Sequence, residues 1–264
     1  MKTKKGFKIQ PLDFTRRMVI ASVNSNKKNA IHCMTKIDVT KPRVMRNEYF
    51  NKTGEKLSFN AYIVKCFAET IREFPEMNSF IKGSKLVVLD DITISVLVER
   101  ELDGVKVPEP LGIQKVQDKS IKQIHDEIRA AQKNRGNEIG NLSNITWVKL
   151  IPGFLLRTFI KLADRNIKMA KRYGKLSVTA VGMFSESAAW FIPHGTATVL
   201  LTVGSISKEY IQSEKGEAEL KEMLHITTSF DHEIIDGAPA ARFMKRFVNI
   251  LQSGKILSTE LTKK

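Results

Sequence analysis

The sequence predicts a single α+β domain, and three observations carry that expectation. Four amphipathic segments repeat their apolar residues at helical spacing, and the final third is rich in short β-branched runs. No internal repeat, low-complexity linker or break in composition divides the 264 residues.

Taken in order, 31-IHCMTKIDVT-40 alternates loosely and reads as a strand. In 60-NAYIVKCFAETIREFP-75, Ile63, Phe67, Ile71 and Phe74 fall on one stripe. Asn60 is a candidate cap and Pro75 a stop, which makes this stretch a helix. Strands follow at 85–90 and 92–99, with a turn near Asp103-Gly104. Ser120 and Gln123 have capping-box spacing at the head of a helix carrying Ile121, Ile124, Ile128 and Ala131. Residues 134–146 read as a polar loop. Next comes a basic amphipathic stretch, with Ile151, Leu155, Phe159 and Leu162 on one side. Strands are expected at 176–182, 196–204 and 223–230. A last helix starts near Pro239, turns Ala240, Phe243, Phe247 and Ile250/Leu251 inward, and ends before Gly254.

Composition narrows the function. Hydrophobic residues make up 42% of the chain, enough for a substantial core. No apolar run is long enough to span a membrane, and no signal peptide is visible. The two cysteines, Cys33 and Cys66, lie far apart outside metal motifs, so a reducing cytoplasm is the expected setting. The net charge of +15 fits nucleic acid, an anionic membrane or a phosphorylated small molecule. No zinc-finger, helix-turn-helix or aromatic-basic pattern is present, so nucleic acid is not expected as a partner. Between Trp147 and Arg172, seven Lys and Arg residues stand against Asp164 alone.

The stretch 229-SFDHEIIDGAPAARF-243 is the candidate site. It places His232 at a strand end and Asp236 just ahead of a helix, with Gly237 to let the chain turn. A neutral imidazole there is suited to proton abstraction near pH 7. The H-x-x-x-D-G spacing alone favours a structural histidine paired with a carboxylate. His32, His125, His194 and His225 carry no partner pattern and are read as structural or solvated.

The surrounding text resembles the catalytic domain of the 2-oxo acid dehydrogenase dihydrolipoyl acyltransferases and, more distantly, the chloramphenicol acetyltransferases. Besides SFDHEIIDG, 12-LDFTRRMVIAS-22 resembles the family's opening helix and 57-LSFNAYIVKCFAETIREFPEMNSFI-81 its N-x-F-x-x-K…P-x-x-N helix. ELDGVKVP (101–108) is similar to its DGLVVP turn and SVTAVGMFS (177–185) to its TISNLGMFG. The matches occur in order over nearly the whole chain.

The resemblance implies a chloramphenicol acetyltransferase-like mixed sheet with flanking helices, over residues 1–264. It implies acyl transfer between acyl-coenzyme A, a co-substrate rather than a covalently bound cofactor, and a dihydrolipoamide-like thiol or small alcohol. His232 takes the place of the general base and Thr179 that of the serine whose hydroxyl faces the oxyanion. Asp236 stands where relatives anchor the loop through an arginine of the opening segment, here Arg17, with Arg16 one residue away. Family members are homotrimers whose sites lie between subunits.

Glu233 and Ala180 depart from the family's arginine and asparagine, and no lipoyl or partner-binding domain is visible. Residues 144–172 look like an insertion, expected to pack on the core. The alternative for 147–172 is contact with an anionic membrane surface. An antibiotic-type O-acetyltransferase and a non-catalytic trimeric scaffold are the competing functions.

Overall fold

The computed structural model describes residues 2–4, 6–9, 12, 14–25, 28–102, 105–133, 152–182, 185, 187–213 and 215–262. The expected loop at 134–146, Ile151 and the Asp103-Gly104 turn lie outside these residues.

A six-stranded sheet carries the architecture, in the order β3 (Ala30–Asp38), β10 (Ala218–Asp231), β9 (Val199–Gln212), β8 (Leu176–Ala180), β6 (Ile94–Leu102), β7 (Val105–Ile113). Strand β8 runs parallel to both β6 and β9, and every other pair is antiparallel, so the sheet is mixed as expected. Two small hairpins lie outside it, β1 (Lys2–Lys4) with β2 (Phe7–Ile9) and β4 (Ser79–Lys82) with β5 (Lys85–Val88).

Helices α3 (Phe59–Glu73) and α7 (Gly237–Ser253) form the main core with the sheet. Ser58 rather than Asn60 caps α3, its Oγ accepting the Ala61 N–H at 3.1 Å. Phe243 of α7 stands edge-on to Phe67, Phe74 and Phe230 at centroid separations of 6.0, 5.6 and 5.7 Å. The Tyr62 hydroxyl ties α3 to the end of α7 by donating to the Leu251 carbonyl at 2.6 Å. Helix α7 stops at Gly254, whose φ of 67° is the left-handed conformation glycine adopts without strain.

Helix α4 (Ile121–Lys133) opens with the expected capping box. The Ser120 N–H donates to Gln123 Oε1 at 2.9 Å and the Gln123 N–H to Ser120 Oγ at 3.1 Å. A helix the sequence reading left out, α2 (Thr40–Thr53), buries only Pro42 and Tyr49 and so presents no apolar stripe. A short last helix, α8 (Lys255–Thr262), follows Gly254.

The basic stretch folds as two helices, α5 (Gly153–Asp164) and α6 (Ile167–Tyr173). Asn166 separates them, its side chain accepting the backbone N–H of Lys168 and Met169. Helix α5 does not pack on the main core as expected. Leu156 and Ile160 instead meet Met18 and Ala21 of α1 (Phe14–Ser25), forming a separate small cluster. The apolar arc of α5 is wider than that contact, which leaves Phe159 at 62% and Leu162 at 67% exposure.

Among the described residues no helix is long and apolar enough to cross a membrane, and no group of three His, Cys, Asp or Glu could hold a metal ion. Cys33 and Cys66 are free thiols.

Candidate active site

Strand β10 delivers His232. Its last residues pair with the start of β3, Asp231 opposite Ala30, and the chain then turns through His232–Ile234 into α7. Phe230 is clamped beneath Phe243, and Ile235 is buried, so the turn is pinned by apolar contacts on both sides. His232 itself projects outward, its side chain 49% exposed.

Asp236 occupies the cap position of α7 without making a capping hydrogen bond. Its Oδ1 lies 3.6 Å from His232 Nδ1, and its side chain is 85% exposed. That is longer than a hydrogen bond, and it becomes an ion pair only when the imidazole is protonated. The carboxylate sits on the Nδ1 side of the ring.

Two expectations need correcting. The Arg17–Asp236 pair is not formed within the chain: Asp236 lies beside His232, while Arg17 is half-buried on α1 and engaged elsewhere. The docking of α1 on α5 through Met18 and Ala21 sets that position. Nor does Gly237 turn the chain. It is the first residue of α7 and is not among the glycines with positive φ, and a Cβ there would meet nothing within 4 Å.

The anchor of the loop is Asp231, which the sequence reading passed over. Its Oδ2 pairs with Lys28 Nζ at 2.6 Å, and its Oδ1 accepts the Glu233 N–H at 3.1 Å. Its carbonyl accepts the N–H groups of Ile234 and Ile235, and its own N–H donates to Thr198. The His232 N–H donates to the Asn29 carbonyl at 2.8 Å. Residues 28 and 231 are joined only by the β3–β10 register, so no local pattern announces them.

Thr179 lies in β8, 9% exposed, next to Thr202 of β9, which in turn faces Thr227 of β10. Close packing behind it holds the strand end, since a Cβ on Gly182 would overlap the Gly204 carbonyl. His232 is five residues beyond Thr227 along β10, two strands away from β8. At a rise of about 3.3 Å per residue and about 4.8 Å between strands, the two side chains stand roughly 19 Å apart in one chain. The fold does not bring them together.

The other histidines have structural partners or line a cleft. His125 Nδ1 accepts the Ser58 N–H at 3.0 Å, and burial lowers its pKa, with Arg129 and Lys122 adding to the effect. His225 is fully buried against Trp190, its Nδ1 2.9 Å from the Ser205 carbonyl oxygen. His32 lies 2.8 Å from Ser229 Oγ, and with His194, Lys28 and Asp231 it lines a cleft of about 360 Å³ beside the His232 turn. A recess of about 250 Å³ on the other side of Lys28 is bordered by Lys161, Asp164 and Arg165 of the α5 region and by Glu233. Asp164 also pairs with buried Lys175 at 2.6 Å, tying the end of α5 to the start of β8. A further recess, about 840 Å³, lies among α3, α4, α7 and α8, and neither His232 nor Thr179 lines it. Three of its charged groups, Lys65, Lys119 and Arg246, are already paired with glutamates.

Comparison with known proteins places this geometry. Residues 4–143 and 164–258 match the model of the family described as 2-oxoacid dehydrogenases acyltransferase (catalytic domain). The unmatched gap contains most of α5. The chain is 28% identical over 255 residues to the lipoamide acyltransferase component of the branched-chain alpha-keto acid dehydrogenase complex of Bacillus subtilis, covering 94% of this chain and 53% of that protein. It is 26% identical over 242 residues to the dihydrolipoyllysine-residue succinyltransferase component of the 2-oxoglutarate dehydrogenase complex of Staphylococcus saprophyticus, covering 89% and 50%. The chain thus spans about half the length of these curated relatives.

Among solved structures, a probable dihydrolipoamide acetyltransferase from Listeria monocytogenes superposes with a TM-score of 0.70 at 21% identity, over 95% of this chain and 96% of that one. The cubic core of the pyruvate dehydrogenase multienzyme complex gives 0.68 at 21% identity, over 96% and 95%. These likenesses establish the fold.

Proposed function

Because the chain belongs to the 2-oxoacid dehydrogenase acyltransferase family, as its catalytic domain, we propose that it moves an acyl group between coenzyme A and a dihydrolipoamide-like thiol, with His232 as general base. The half-exposed imidazole at the end of β10, with a carboxylate beside Nδ1, is the observation that carries this reading. Nε2 takes the proton of the acceptor thiol. The thiolate attacks the thioester carbonyl of acyl-coenzyme A, and the C–S bond to coenzyme A breaks as the tetrahedral intermediate collapses. The proton held on His232 then passes to the departing coenzyme A sulfur. Asp236 stabilises the imidazolium between these two transfers.

The intermediate's oxyanion needs a donor, and Thr179 is the hydroxyl assigned to it. At roughly 19 Å from His232 along the sheet, Thr179 of the same chain cannot serve. The site therefore joins His232 of one copy to Thr179 of the next, in a homotrimer. Acyl-coenzyme A and the acceptor are its small-molecule partners.

The test follows coenzyme A thiol release from acetyl-coenzyme A with dihydrolipoamide, and with chloramphenicol as the competing acceptor. His232→Ala is expected to abolish turnover, and Thr179→Val to lower it by about 10²–10³. Mixing the two inactive variants so that subunits exchange is expected to restore about a quarter of wild-type turnover, because that share of interfaces regains both residues. No recovery in verified mixed trimers would refute the shared site. Turnover surviving His232→Ala would refute the base.

A further inference from the structure

We propose that Lys28, Asn29 and Asp231 form a cradle that positions His232, the Lys28–Asp231 pair cancelling a buried carboxylate one residue from the base. The proposal rests on His232 being the base, and its test reads the imidazole directly.

Every polar atom of the Asp231 side chain and backbone is used. One carboxylate oxygen holds Lys28, the other holds the Glu233 N–H, and the backbone bonds to Thr198, Ile234 and Ile235. The side chain is only 3% exposed and that of Lys28 17%. Asn29, next to Lys28, fixes the backbone of His232 itself. Two adjacent residues before β3 thus grip two adjacent residues after β10, one pair through charge and the other through the main chain. A surface ion pair would have no such partner bond beside it.

A buried carboxylate one residue from the base would, if unpaired, stabilise imidazolium and hold His232 protonated at the pH where a base is needed. Lys28 removes that bias while leaving the loop hydrogen bonds intact. The other charges around the turn are Asp236, 3.6 Å from Nδ1, exposed Glu233, and Lys161, Asp164 and Arg165 across the small recess. Lys175, before β8, is taken up by Asp164. Asp231 is the buried anion of this set whose charge is met by Lys28.

The experiment titrates His232 by histidine-selective carbon NMR in the full-length protein, its resonance assigned by its loss in His232→Asn. Lys28→Met is expected to raise the His232 pKa by about half to one unit, and Asp231→Asn to lower it by a similar amount. Lys28→Arg keeps the charge and is expected to leave it within about 0.2 unit of wild type. The double variant Lys28→Met/Asp231→Asn is expected to return close to wild type. Opposite signs with mutual cancellation cannot come from general loosening of the loop. In turnover, the acid limb of kcat/KM should move with each titration.

Shifts of the same sign in both single variants, or no shift in either, would overturn the cradle. Titrations that move as expected while His232→Ala retains turnover would leave the cradle standing and remove the general-base reading. If Lys28→Met fails to fold, Lys28→Gln provides the same loss of charge with a polar side chain.

Discussion

Replacing Phe243 by alanine tests whether the aromatic cluster under β10 holds both the fold and the site. The ring is fully buried and touches Phe67, Phe74, Phe230 and Phe247, with centroids 5.6–6.5 Å away. Truncating a buried phenylalanine costs about 3–5 kcal/mol, transfer and cavity together, and the edge-on pairs put this position toward the upper half of that range. At about 2–4 °C per kcal/mol for a chain of this size, Phe243→Ala should lower Tm by about 8–20 °C. Phe243→Leu keeps most of the volume and should cost about 1–1.5 kcal/mol, or roughly 2–6 °C.

The assay is thermal unfolding by circular dichroism at fixed protein concentration, with the oligomeric state checked by light scattering. Because Phe230 adjoins Asp231 and His232, the alanine variant should also lose kcat at temperatures where it remains folded. A Tm drop under 3 °C for alanine, or equal drops for alanine and leucine, would refute the assignment of this cluster as the load path between α3, α7 and the turn.

Gly237→Ala should change stability by less than about 0.5 kcal/mol, since the new Cβ meets nothing and helix propensity improves; a large drop in denaturant midpoint would show the position to be strained. Urea midpoints should fall between pH 7.5 and 5.5, partly through His125. Burial lowers its folded pKa below the ordinary 6.5, so the unfolded chain takes up its proton first. Its contribution is complete above the unfolded pKa and is lost as pH falls toward the folded one. His125→Gln should flatten this slope, and an unchanged slope would remove the assignment. On α5, Leu156→Ala should be destabilising by about 2–3 kcal/mol, while Phe159→Ser should leave the Tm within about 2 °C; equal losses would mean that the exposed stripe is covered.

Much of the fold was readable because periodicity and punctuation agreed. The stripe of α3, the Ser120–Gln123 box of α4 and the inward phenylalanines of α7 ending at Gly254 each combine two independent signals. Helix α2 has neither an apolar stripe nor a side-chain cap, and its burial of Pro42 and Tyr49 depends on what it packs against. The outer halves of β9 and β10, which extend the hairpin beyond 204 and before 223, are largely polar and mostly half-buried or exposed, and left no strand signature. The division of α5 from α6 was written in Asn166 but hidden inside a continuous basic run.

At the site, His232 was legible from its motif, whereas Lys28 and Asn29 were not. Their role comes from a register that joins residues some 200 positions apart, and a lysine before a strand carries no sign of it. Thr179 was named by resemblance, but its distance from His232 could be read only from the strand order.

The small α1–α5 cluster has an energetic consequence. Two buried side chains with two partial neighbours contribute about 3–4 kcal/mol, far below the cost of opening the sheet. Left to that contact alone, the pair would open in about one molecule in a few hundred. Amides of 14–25 and 153–164 should then exchange with deuterium orders of magnitude sooner than those of β9 and β10. The seam between α1 and α5 is where this protein can change shape without unfolding.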